Sequence, residues 1–170
     1  MGININIYNG VLFYIAWLLC VTGGDKVAIV TSALVIAIHL RYISGDYREL
    51  GLLFQVAILG FVVDALFILG GVMTGVELAF LPPLWLIALW LVFATTLNHC
   101  LRWFQGRLAL AALVGAVAGP LSYMAGIRMS SVELGSPELR SVVVLAVVWA
   151  AVFPICLILA RRFAQRYALV

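Results

Sequence analysis

Six apolar stretches divide the chain, each closed by a short cluster of polar, glycine or proline residues. The first runs from about Tyr8 to Gly23 and stops at Gly23-Gly24-Asp25-Lys26. The second covers about Val27 to Tyr42, and the third about Gly51 to Gly75, interrupted once by Asp64. The fourth covers about Leu81 to Leu101, opened by Pro82-Pro83. The fifth covers about Arg107 to Ile127, with Gly119-Pro120 inside it, and the sixth about Pro137 to Leu159. A helix needs about 20 apolar residues to cross the hydrocarbon core. The pattern therefore predicts an all-α fold: a polytopic transmembrane bundle of six helices, two of them short, forming a single domain over residues 1–170. Proline suits a first helical turn, which fits Pro82-Pro83. Ser136 is the expected N-cap of the sixth helix, followed by Pro137 and by Glu138 near the positive end of the helix dipole.

Composition supports the same class. Of 170 residues, 66% are hydrophobic and 10% charged, against about 25% charged in a soluble domain. So few charges cannot cover a water-facing surface. The expectation is a membrane protein throughout, with short connections, no soluble domain and no cleavable signal peptide. Cys20, Cys100 and Cys156 all fall in apolar runs. With an odd count and no C-x-x-C they indicate neither a disulfide framework nor a zinc site, only small apolar residues packed between helices. No P-loop or dinucleotide fingerprint occurs, so ATP hydrolysis by the chain alone is excluded. No cofactor and no nucleic-acid partner is expected.

Charge sets the orientation. Arg41, Arg48, Arg102, Arg107, Arg161, Arg162 and Arg166 fall on one side of the six-span arrangement; Lys26, Arg128 and Arg140 fall on the other. By the positive-inside rule the richer side is cytoplasmic, with both termini inside. Any internal repeat would then be inverted, but the two halves show no convincing self-similarity.

Two groups of polar residues stand out. The fourth stretch turns polar over its last two turns: as a helix it would place Thr95, Asn98, His99 and Arg102 on one face. Bare lipid would leave those groups unpaired. Asn9, His39 and Gln55 fall at the same depth, so a polar vestibule open to the cytoplasm is one reading and ordinary interfacial polarity the other. His39 and His99 alone have no recognised metal-ligand spacing, so no metal is assigned, and Arg102 can snorkel to phosphate. The second feature is Asp64, about 20 Å along its helix from the cytoplasmic end. A mid-bilayer carboxylate costs at least ~2.5 kcal/mol, so such acids face protein. Its face carries Gly60, Gly71 and Gly75. Its candidate partners are Ser122, Tyr123 and Lys26. The fifth helix carries a small-residue stripe of Ala111, Gly115, Gly119 and Ser122 that lets a neighbour approach closely, and Pro120 frees a backbone carbonyl. Asp64 is thus either a structural hydrogen-bonding group or a cation or proton site.

The stretches "YNGVLFYIAWLLCVTGGD", "PPLWLIALWLVFATTLNHCLRW", "GAVAGPLSYMAG" and "VVWAAVFPICLILA", with the lone Asp64, resemble a family of small bacterial inner-membrane proteins known as a domain of unknown function (DUF2878-like). The likeness covers essentially the whole chain, and "FATTL" and "GPLSY" are its most specific parts. It implies a multi-pass protein of the bacterial inner membrane and carries over no catalytic residue. It also implies a connection to membrane lipids, since such proteins are described beside lipid-modifying enzymes. The leading expectation is a lipid- or partner-binding accessory protein in membrane-lipid metabolism. The alternative is a small proton- or cation-coupled transporter or flippase using Asp64. An enzyme with His99 as base is the weakest reading, because no paired acids or ligand clusters accompany it.

Overall fold

Gly24 folds the first forty residues back on themselves. In this computed structural model, which describes residues 4–75, 81–130 and 132–167, the first helix, α1 (Ile5–Ile38), is broken at Gly24, whose φ of 68° and ψ of −173° are not helical. A straight helix would separate Asn9 from His39 by about 45 Å at 1.5 Å per residue. Instead both reach the same end of the fourth apolar stretch: the Asn9 amide donates to the Thr95 carbonyl at 3.2 Å, and the His39 ring meets that of His99 with centroids 4.8 Å apart. The Cys20 thiol faces the Ala28 carbonyl across the turn at 3.9 Å. α1 is therefore two antiparallel arms, residues 5–23 and 25–38.

The second arm ends in a π-helical turn, His39–Ser44, and then Gly45 at φ 70°. The Asp46 carboxylate accepts from the Arg48 backbone N–H at 2.8 Å and pairs with its guanidinium, which holds that carboxyl below its usual range. A 3₁₀ turn, Tyr47–Glu49, leads into α2 (Leu50–Leu69). The remaining helices are α3 (Leu84–Ala94), α4 (Leu108–Ile127) and α5 (Glu138–Tyr167). Two-residue strands β1 (Met73–Thr74) and β2 (Glu133–Leu134) pair antiparallel at the end opposite His39, with Met73 across from Leu134.

The bundle is organised around α3. It packs against both arms of α1 and against α2, while α4 and α5 pack along one another. Within α3 only Leu84 is exposed. The outward faces of α1, α2, α4 and α5 carry large apolar side chains such as Leu34, Phe54, Leu66, Leu113 and Val147. A helix apolar on all sides is buried in protein or in lipid. Four segments are long and apolar enough to cross a membrane: Ile5–Ser44, Tyr47–Leu69, Leu108–Ile127 and Glu138–Tyr167.

Several helix ends differ from the pattern reading. The fourth apolar stretch is helical only to Ala94. Residues 95–101 form successive turns, and Arg102–Gly106 is 3₁₀. Thr95 and Thr96 cause part of this, because their hydroxyls turn back onto the Val92 and Phe93 carbonyls at 2.7 and 2.6 Å. Such bonds compete with the helical ladder. The third stretch ends at Leu69, so Gly71 and Gly75 lie beyond the helix at positive φ and do not share the face of Asp64. α5 opens at Glu138 with the Arg140 N–H bonded to the Pro137 carbonyl, which gives Pro137, not Ser136, the capping position. The first turn of α3 finds a cap from outside the helix: the Asp25 carboxylate accepts from the Trp85 N–H at 2.9 Å, meeting one of the donors that every helix start leaves open.

Candidate functional site

Three glycines shape the interior. A Cβ on Gly60 of α2 would stand 2.0 Å from the Trp90 ring of α3, and one on Gly119 of α4 would stand 2.3 Å from the Trp149 ring of α5. Gly115 is closed by the Trp149 backbone carbonyl, 2.4 Å from where its Cβ would be. Gly115 therefore allows close helix approach, whereas Gly60 and Gly119 make room for indoles. The two indoles stack with centroids 5.2 Å apart and planes 9° from parallel. α2, α3, α5 and α4 are thus joined through an aromatic slab held between glycines.

Asp64 fixes one edge of that slab. It is fully buried and accepts from Trp90 Nε1 at 2.7 Å and Tyr123 Oη at 2.5 Å. Of its three expected partners the structure selects Tyr123. Ser122 is engaged elsewhere, its hydroxyl accepting from Trp17 Nε1 at 3.1 Å, and Lys26 is exposed at the Gly24 turn. Pro120 is buried in α4, which continues unbroken through it. Asp64 stands fourteen residues from the start of α2 and five from its end, so it lies nearer the Gly24 end of the bundle than the middle.

In front of the slab is a narrow cavity with about 80 Å³ of accessible space, below the ordinary range for small-molecule pockets. Trp17, Trp85, Trp90, Phe93, Tyr123 and Trp149 form much of its wall, and among the described residues no charged side chain lines it. Met73, Ile127 and Val132 bound it toward the β1–β2 end. It lies between the first arm of α1 and α4, which scarcely pack on each other and are bridged by the Trp17–Ser122 hydrogen bond. Asp64 is behind this wall and does not line it. Chemically, the cavity offers apolar and aromatic surface to an uncharged, elongated group.

The polar residues at the opposite end form a second constellation. Asn9 is buried and satisfied at both ends of its amide: it donates to the Thr95 carbonyl and accepts from the Cys100 N–H at 3.3 Å. Asn98 accepts from Gln105 Nε2 at 2.9 Å. Thr95 is buried, Asn98 half-buried, and Arg102 and Gln55 exposed. Because the helix stops at Ala94, Thr95, Asn98, His99 and Arg102 do not form one continuous helical face. The polar end is polar because the chain leaves the helix there, and the side chains of Asn9, Thr95, Thr96 and Gln105 pair backbone groups of that segment. His39 and His99 do meet, brought together by a residue the sequence reading passed over. Glu49, in the 3₁₀ turn before α2, accepts from His39 Nε2 at 3.0 Å and lies 3.3 Å from His99 Nε2. His39 and Glu49 are buried and His99 is partly exposed. The signal available in sequence was an acid ten residues after His39, in a connection that also carries Asp46, Arg41 and Arg48.

A family model described as "Protein of unknown function (DUF2878)" matches residues 6–155. No curated protein and no solved structure matches the chain.

Proposed function

The chain belongs to the DUF2878 family, and we propose that it is an inner-membrane protein that holds the apolar chain of a membrane lipid in the aromatic cavity between α1 and α4. The cavity carries this reading. It is lined by seven aromatic residues, with no charged side chain among the described residues that line it, and it opens between two helices whose outer faces are themselves apolar. A ligand entering there exchanges one apolar surrounding for another, so shape and aromatic contact decide affinity.

In this proposal the chain crosses the membrane six times. The two arms of α1 are separate crossings, and α3 with the turns up to residue 101 completes the count. Both termini are cytoplasmic on the arginine distribution, which puts the cavity in the leaflet away from the cytoplasm. The partners are membrane lipids and a lipid-modifying enzyme to which the bound lipid is presented. The hydrogen bonds of Asp64 favour this over cation- or proton-coupled transport: both carboxylate oxygens are engaged by donors that build the cavity wall.

Gly126 offers the test. It lines the cavity, and a Cβ there meets only ring and methyl carbons at 3.7 Å or more, so Gly126→Leu fills the space without forcing the backbone. Native mass spectrometry of gently extracted protein should show a lipid retained by the wild type and reduced at least about tenfold in the variant, a change of 1.4 kcal/mol. Equal retention by both proteins refutes the cavity as the site.

A further inference from the structure

We propose that His39, Glu49 and His99 form a binding site for a divalent transition-metal ion, zinc being the best match to their donor set. The three residues come from three segments: the end of the second α1 arm, the turn before α2, and the turns after α3. Each offers one ligand atom, and those atoms all lie within 4.8 Å of one another. His39 Nε2 and His99 Nε2 both point at one carboxylate, at 3.0 and 3.3 Å. In a tetrahedral zinc site with bonds of about 2.0–2.1 Å, donor atoms stand roughly 3.4 Å apart. The arrangement needs only small rotations of two imidazoles and one carboxylate to admit the ion.

The charge balance points the same way. Glu49 is 2% exposed, and a buried carboxylate needs a paired cation. Among the described residues no lysine or arginine forms an ion pair with it; its ion-pair partners are the two histidines, and the Ser44 side chain adds a hydrogen bond that carries no charge. The positive charge must therefore come from a proton on an imidazole or from a metal ion. A divalent ion serves all three groups at once, with both imidazoles neutral. Two histidines and a carboxylate are a recurrent zinc ligand set that leaves the fourth position open. Here the partly exposed edge of His99 leaves room for water at that position. His39 and His99 together did not amount to a ligand set; Glu49 completes it. This site lies at the end of the bundle away from the aromatic cavity, and the proposal does not depend on lipid binding.

The ion would join α1, α2 and the segment after α3, so its binding to the folded state alone must raise stability. The test uses full-length protein in detergent, purified without a histidine tag, stripped with chelator and titrated with zinc. Expected are about one tightly held zinc per chain, lost again to chelator, and a rise in unfolding temperature that saturates at that stoichiometry. Glu49→Gln and His99→Ala should each weaken zinc binding at least about tenfold. Arg102→Ala, three residues along and outside the cluster, should leave it unchanged. Wild-type protein that takes up no stoichiometric zinc overturns the proposal whatever the variants do, and assigns the cluster to a shared proton. Uptake undiminished in His99→Ala also overturns it. Should His99→Ala fail to fold, His99→Gln, which keeps a hydrogen-bonding group against Glu49, takes its place with the same expected loss.

Discussion

Replacing Asp64 separates its two possible roles, because the two substitutions available strand different numbers of donors. Asp64→Leu leaves the Trp90 N–H and the Tyr123 O–H without acceptors in a fully buried position. A stranded buried donor costs about 1–3 kcal/mol. Hydrogen bonds inside membrane proteins average nearer ~0.6 kcal/mol, because the reference state also finds partners. Two donors therefore bracket the loss between about 1 and 6 kcal/mol. Leucine is also branched and must fit beside an indole that already leaves Gly60 no room for a Cβ, and overpacking adds about 1–3 kcal/mol. We expect about 3 kcal/mol in total, which for a chain of this size lowers the unfolding temperature by roughly 6–12 °C. Asp64→Asn is different. Its carbonyl oxygen accepts from one donor, and the Tyr123 hydroxyl can rotate to accept from the new amide, so only the charge assistance is lost, about 1 kcal/mol. The assay is thermal unfolding in detergent followed by tryptophan fluorescence, to which Trp90 contributes with four other tryptophans. Asp64→Leu protein as stable as wild type refutes the reasoning. So does Asp64→Asn protein that is fully stable and retains lipid normally yet has lost the phenotype of the gene, because that combination belongs to an acid that must ionise.

The hairpin in α1 makes two further claims. Gly24→Ala should destabilise by about 1–3 kcal/mol, since a φ of 68° with ψ near 180° is a conformation essentially reserved for glycine; no atom lies within 4 Å of the new Cβ, so a smaller loss by thermal unfolding would mean the turn is not built this way. Reporter fusions after Ser44 and after Tyr167 should read cytoplasmic, and fusions after Asp25 and after Thr74 should read from the opposite side; Asp25 on the same side as Ser44 would sink the two-crossing reading of α1.

Much of the fold was legible because its cause is local. Gly23-Gly24-Asp25 broke the first apolar run where the chain turns, and the small-residue positions Gly115 and Gly119 marked the face of α4 that meets α5. Asp64 was identifiable as a group facing protein, and Tyr123 was among its named partners. What escaped was set by contacts between distant segments. The fourth stretch turns polar at Thr95, but nothing in its periodicity shows that Thr95 and Thr96 will turn back on the backbone and end the helix at Ala94. Glu49 reads as one more loop charge until the α1 hairpin carries His39 beside it. The aromatic cavity is assembled from α1, α3, α4 and α5, and each of its rings, taken singly, looks like an interfacial or core residue. Gly60 looked like a helix-contact glycine; only the placement of Trp90 shows that it accommodates a ring.

The central position of α3 bears on how the protein is made. Eleven helical residues rise only about 16 Å, half of what the hydrocarbon core demands, so this segment has no stable transmembrane state by itself. One N–H of its first turn relies on Asp25 and its far end on Asn9, both in the α1 hairpin. On the proposed six-crossing arrangement, the hairpin must already be in the bilayer when α3 arrives. Insertion of the fourth stretch is then a docking event into a waiting groove, and a chain that misplaces its first forty residues will strand the fourth outside the membrane.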